Sequence, residues 1–138
     1  MLPVATPLGT PFKKKKMYST KTEEIEKVIK NYFNGLFYGD TNMLKLAFHE
    51  QAIVYGDIKG ETYIKPIGPF LDWVAQRVSP NDKKEDYRMQ ILGIEVLGDS
   101  AIVKAHVPML GFNYYDTLSL HFSEGNWTIV NKLFTHVE

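Results

Sequence analysis

From Tyr87 to the end of the chain, apolar residues recur at every second position, and in the first of these stretches the pattern changes phase partway. Tyr87, Met89 and Ile91 alternate with polar neighbours; after a one-residue slip at Gly93 the alternation continues as Leu92, Ile94 and Val96. A period-2 pattern that slips predicts a β-bulge, which bends a strand and lets a sheet curl. Three further runs follow: Ala101, Val103, Ala105 and Val107; Tyr114, Asp116, Leu118, Leu120 and Phe122; and Trp127, Ile129, Asn131 and Leu133. Gly98-Asp99 and Gly125-Asn126 are hairpin turns. A chain ending this way is committed to four long antiparallel strands with one inner face. The opposite parity, Ser119, His121, Thr128, Val130, Lys132 and Phe134, is assigned to the outer face.

The earlier part is mostly helical. Ile25, Val28, Ile29, Tyr32, Leu36 and Phe37 form one apolar stripe on a 3.6-residue period, with Thr20 and Glu23 at capping-box spacing, or Thr22 as the cap. Gly39 supplies the left-handed stop, and Asp40 caps a short second helix burying Met43, Leu44, Ala47 and Phe48. Ala52 to Tyr55 and Thr62 to Lys65 read as a short strand pair around the turn at Gly56 to Gly60. Gly68-Pro69 opens a third helix, carrying Ile67, Phe70, Leu71, Val74 and Val78 and ending before Ser79-Pro80. Residues 1–19, with three prolines and the run Lys13 to Lys16, read as a flexible tail, and residues 20–138 as one domain.

Composition narrows the function classes. Sixteen Lys+Arg balance sixteen Asp+Glu, so nothing favours nucleic acid or an anionic membrane as a partner. No stretch has the length and apolarity of a membrane span, and the prolines ahead of the lysines do not fit a secretory signal. The absence of cysteine removes disulfides, thiolate nucleophiles and Cys-ligated zinc, and fits a cytoplasmic location. His49, His106, His121 and His136 are dispersed, so no metal site is expected; His49 is assigned to the end of the second helix. No phosphate loop, nucleophile elbow or dinucleotide fingerprint occurs, and no cofactor is expected.

The stretches from Tyr32 to Asp40 and from Asp116 to Leu120, with the closing run from Trp127 to Phe134, resemble the nuclear-transport-factor-2-like (NTF2-like) superfamily, also called cystatin-like or ketosteroid-isomerase-like. Within it the chain is most similar to the lumazine-binding, SnoaL-like branch, from about Thr22 to Glu138. The resemblance implies an α+β cone, with three N-terminal helices packed on a strongly curved, mostly antiparallel sheet made of a short strand pair and four long strands. It also implies pairing through the outer sheet face as a homodimer. Because this fold hosts isomerases, dehydratases, cyclases and non-catalytic adaptors, it implies little about chemistry.

Two side chains carry the chemical expectation. Asp116 shares the inward parity of apolar neighbours, where lost hydration raises a carboxyl's pKa and prepares it for proton transfer; the alternative is a carboxylate turned to water or to a backbone amide. Tyr32 sits where the resemblance places the tyrosine that hydrogen-bonds a developing oxyanion; the alternative is a core tyrosine with a satisfied hydroxyl. The same isomerases carry their general base where this chain has Gly56, with Asp57 one step later, so that base is expected to be missing. Leu36, Tyr55, Trp73, Val103, Tyr114, Leu118 and Asn131 are assigned to the walls of a pocket for a small, largely apolar or aromatic molecule. Proton transfer by Asp116, a carrier without chemistry, and a filled cone serving only for assembly are the three readings that follow.

Overall fold

The computed structural model describes residues 17–138, so Lys13 to Lys16 lie outside the described residues. Helix α1 (Tyr18–Tyr38) begins ahead of both expected caps. Met17 occupies the N-cap without a side-chain cap bond, and Thr22 instead bonds the Ser19 carbonyl at 2.9 Å. The extra turn is held by tertiary contact, since the Tyr18 hydroxyl donates to the Ile94 carbonyl. Gly39, at φ 66°, ends α1, and the Asp40 carboxylate accepts from the amides of Asn42 and Met43 at the start of α2 (Thr41–Ala47). His49 lies past this helix, on β1 (Phe48–Ile58), where Nδ1 accepts from the Gln51 amide; its expected place at a helix end is corrected.

β2 (Glu61–Pro66) leads into α3 (Ile67–Gln76), which starts two residues before Pro69 and keeps that residue in its first turn, where a missing amide hydrogen breaks no bond. The remaining strands are β3 (Gln90–Leu97), β4 (Ser100–Met109), β5 (Phe112–Ser123) and β6 (Asn126–His136). They form one curved, unclosed sheet in the order β2-β1-β6-β5-β4-β3, antiparallel except for the parallel pair β1–β6. The apolar stripe of α1, with Ile25, Ile29, Tyr32 and Leu36 fully buried, packs into the same core as Val103, Leu118 and Ile129 of the sheet.

The bulge expected near Gly93 is present: the β3–β4 register shifts between Ile91 and Gly93. A second irregularity has no signature in the alternation. Along β5–β6, Ser119 faces Asn131 and Leu120 faces Ile129, which leaves Val130 as an extra residue. An inserted residue inverts the parity of all that follows. Lys132 and Phe134, assigned outward from their spacing, are therefore buried, while Leu133 is 47% exposed. Asn131 pairs with Ser119 and Ile53 on the outer face and is removed from the expected pocket wall.

Candidate functional site

One inner-face row of the sheet places most of the site. Its members, in register across six strands, are Tyr63, Gly56, Phe134, Asp116, Ala105 and Ile91. Gly56 has a structural duty there: a Cβ at that position would fall 2.1 Å from the Phe134 ring. Without it, the rings of Tyr63 and Phe134 meet edge to face over the gap, with centroids 5.7 Å apart. The ring of Phe134 therefore occupies the space that a side chain at position 56 would fill. Asp57 remains exposed and uses its carboxylate to accept from the Gly60 amide in the β1–β2 turn.

Above this row lies a cavity of about 200 Å³. Ile58, Tyr63, Val107, Met109, Tyr114 and Phe134 line it from the sheet side, Phe70 and Trp73 from α3, and Asp116 and Lys132 supply the ionisable groups. Trp73 is held at the rim, 44% exposed, with its ring 6.1 Å from that of Phe70 and the Arg77 guanidinium 5.4 Å above it. Arg77 also donates to the Leu36 carbonyl at 2.9 Å, tying the end of α3 to α1.

Asp116 is only 3% exposed. The Tyr32 hydroxyl donates to its Oδ2, whereas Oδ1 is buried without a hydrogen-bond partner among the described residues. The Tyr63 hydroxyl is likewise buried and unpartnered. Lys132, one register step along β6 and so diagonal to Asp116, places its ammonium 4.6 Å from the ring centroid of Phe70, 5.1 Å from Tyr32 and 5.3 Å from Phe134. Burial pushes the Asp116 carboxyl above the usual range, against the opposing pulls of Lys132 and of the Tyr32 hydrogen bond. Burial lowers Lys132 against the attraction of Asp116. Tyr32 is raised well above its ordinary value by burial and then by the charge of Asp116, so it remains a donor. The two ionisable groups on the wall are thus drawn toward their neutral forms.

Of the pocket residues expected from sequence, Trp73, Tyr114 and Asp116 line the cavity. Leu36, Val103 and Leu118 are fully buried in the core and are not on its wall. Tyr55 alternates with the inward Val54 and Gly56, is 45% exposed, and belongs to the outer face. Tyr32 stands behind the wall, touching Asp116 and not the cavity, which corrects its expected role as a donor to a ligand oxygen. Sequence reasoning missed Lys132 and Phe134 because the Val130 bulge is silent, and Tyr63 because its inward face follows from its pairing opposite Gly56. Among the described residues no group of three or more His, Asp or Glu side chains is placed to hold a metal ion.

A family model described as "Putative lumazine-binding" matches residues 20–135. The chain belongs to this family. Its fold is that of NTF2-like proteins: a structure from Shewanella baltica, described as an NTF2-like protein of unknown function, superposes with TM-score 0.79 at 24% identity, covering 89% of this chain and 98% of that one. A ketosteroid isomerase-like protein from Erwinia carotovora gives TM-score 0.66 at 11% identity, covering 88% and 99%. In sequence, the aldolase FrzH of Cladobotryum is 30% identical over 105 residues, which span 75% of this chain and 81% of that protein.

Proposed function

We propose that the family member described here binds a small carbonyl compound with a largely apolar or aromatic body and moves a proton at the carbon next to the carbonyl. The observation that carries this reading is the Asp116 carboxyl, buried on an apolar wall with one oxygen held by Tyr32 and the other unpartnered. A carboxylate so desolvated is a stronger base than one in water. The unpartnered Tyr63 hydroxyl supplies a donor for the ligand oxygen as charge builds on it. Aldol chemistry, named for the similar FrzH protein, passes through loss of such a proton. A dry cavity of about 150 Å³ already accepts a benzene ring, so about 200 Å³ suits a single-ring ligand and favours binding over a filled cone.

The test is proton exchange. Incubated in D2O with acetophenone or phenylacetone, the protein should accelerate loss of the α-proton NMR signal, and Asp116→Asn should remove the effect. Thermal stabilisation by these ketones without exchange would replace this reading with that of a carrier.

We further propose a homodimer formed through the outer sheet face. Ile64, Tyr55 and Leu133 lie in one register row across β2, β1 and β6, and each is exposed. An apolar row of this kind on an uncovered sheet face supports pairing with a second copy. Among the described residues no helix is long and apolar enough to cross a membrane, and we place the protein in the cytoplasm on its lack of cysteine.

A further inference from the structure

Lys132 has no part in the chemistry above, yet its amine is the strongest nucleophile on the cavity wall. The residue is 4% exposed and lines the cavity. Among the described residues no hydrogen bond or ion pair holds its nitrogen; Asp116, diagonal across the sheet, acts on it only through space. A buried lysine whose ammonium lies against the rings of Phe70, Tyr32 and Phe134 gains little for folding that a methionine would not provide, since buried charge is costly unless well paired.

We propose that Lys132 attacks the carbonyl carbon of an aldehyde or ketone held in this cavity and forms a protonated Schiff base with it. The inference rests on the cavity being a carbonyl site but not on Asp116 acting as its base.

The step balances within the residues present. The lone pair of the neutral amine forms the C–N bond, and the carbonyl π pair moves to oxygen, which takes the proton of the Asp116 carboxyl. One amine proton then passes by way of the Asp116 carboxylate to the resulting hydroxyl. Water leaves as the nitrogen lone pair closes the C=N bond. The sum is amine, carboxylic acid and carbonyl going to iminium, carboxylate and water, with charge conserved.

Three features of the site suit this sequence. Burial holds Lys132 toward its free-base form and Asp116 toward its acid form, which are the forms the first bond requires. The rings that surround the nitrogen attract the iminium cation once it forms, and an iminium is less dependent on hydration than an ammonium. The carboxylate left at the end lies diagonal to the iminium, placed to accept a proton from the adjacent carbon while the C=N bond accepts the electron pair.

Reductive trapping tests it. Benzaldehyde has no α-proton, so its capture reports Schiff-base formation separately from proton transfer. The full chain is incubated with benzaldehyde and sodium cyanoborohydride at neutral pH, and benzylated lysines are mapped by peptide mass spectrometry. A fall in an amine's pKa raises its free-base fraction at neutral pH, so Lys132 should label faster than the exposed lysines, and its label should vanish in folded Lys132→Met and Lys132→Arg. Labelling confined to exposed lysines of the wild-type chain would overturn the proposal without recourse to any variant. No trapping at Lys132 together with ketone α-exchange at full rate in Lys132→Met and none in Asp116→Asn would overturn it while leaving the base reading intact. Trapping at Lys132 with no α-exchange in any form would uphold the Schiff base and remove the base reading.

Discussion

The Tyr32 hydroxyl donates to Oδ2 of Asp116, joining the middle of α1 to the centre of β5 across a sequence separation of 84 residues. Tyr32 acts on a ligand only through that carboxyl and is a positioning residue. Tyr32→Phe leaves both carboxyl oxygens without a protein partner and removes the bond that favours the ionised form, so the carboxyl titrates higher still. The pH profile of α-exchange should move to higher pH, with a stability loss of about 1–3 kcal/mol from the unsatisfied group. A profile that keeps its position while only stability falls would reduce Tyr32 to packing.

Asp116→Asn preserves shape and removes the base. Exchange should fall by about 10²–10⁴-fold, the usual contribution of a positioned base, with circular dichroism unchanged. Activity within a few fold of wild type would discard Asp116.

Lys132 leaves a signature in stability against pH. Its native pKa is lowered by burial, so between that value and the ordinary 10.5 the folded chain binds fewer protons than the unfolded chain. Its contribution is complete above 10.5 and is lost as pH falls through the native value. Asp116, raised from 3.8, behaves oppositely: its contribution is complete below 3.8 and is lost as pH rises through the native value. Urea unfolding of wild type and Lys132→Met should show wild type gaining on the variant from pH 7 toward 10.5. Parallel curves would mean that the amine is not desolvated.

Gly56→Ala places a methyl against the Phe134 ring, where the nearest carbon is 2.1 Å away. The ring must move toward the cavity, at a cost of about 1–3 kcal/mol for overpacking. Ketone-induced thermal stabilisation should shrink, and adding Phe134→Leu should restore part of the stability. A variant as stable as wild type would show that the ring has room to give.

Leu133→Glu sets a carboxylate in the row with Tyr55 and Ile64 on the outer sheet face. Light scattering should give a dimer for wild type and a monomer for the variant, with the cavity unaffected. A monomeric wild type at micromolar concentration would remove the dimer.

Much of the architecture is legible in the chain because it rests on local periodicity. The α1 stripe, the Gly39 stop, the Asp40 cap and the phase slip at Gly93 are each written within a few neighbouring residues. Asp116 was legible for the same reason, as a carboxylate on the inward parity of a regular strand. The rest of the site was not. Val130 looks like any strand residue, and whether Lys132 or Asn131 points inward depends on how β6 registers against β5.

Alternating hydrophobicity, helix-end chemistry and family resemblance by themselves determined an α+β cone with a carboxyl inside it. Tertiary pairing alone decided what accompanies that carboxyl. One extra residue on β6 turns an amine inward, and one missing side chain on β1 admits the Phe134 ring. Spacing along a strand sets which residues share a face, but strand register chooses the face, and register is a property of two segments meeting in space.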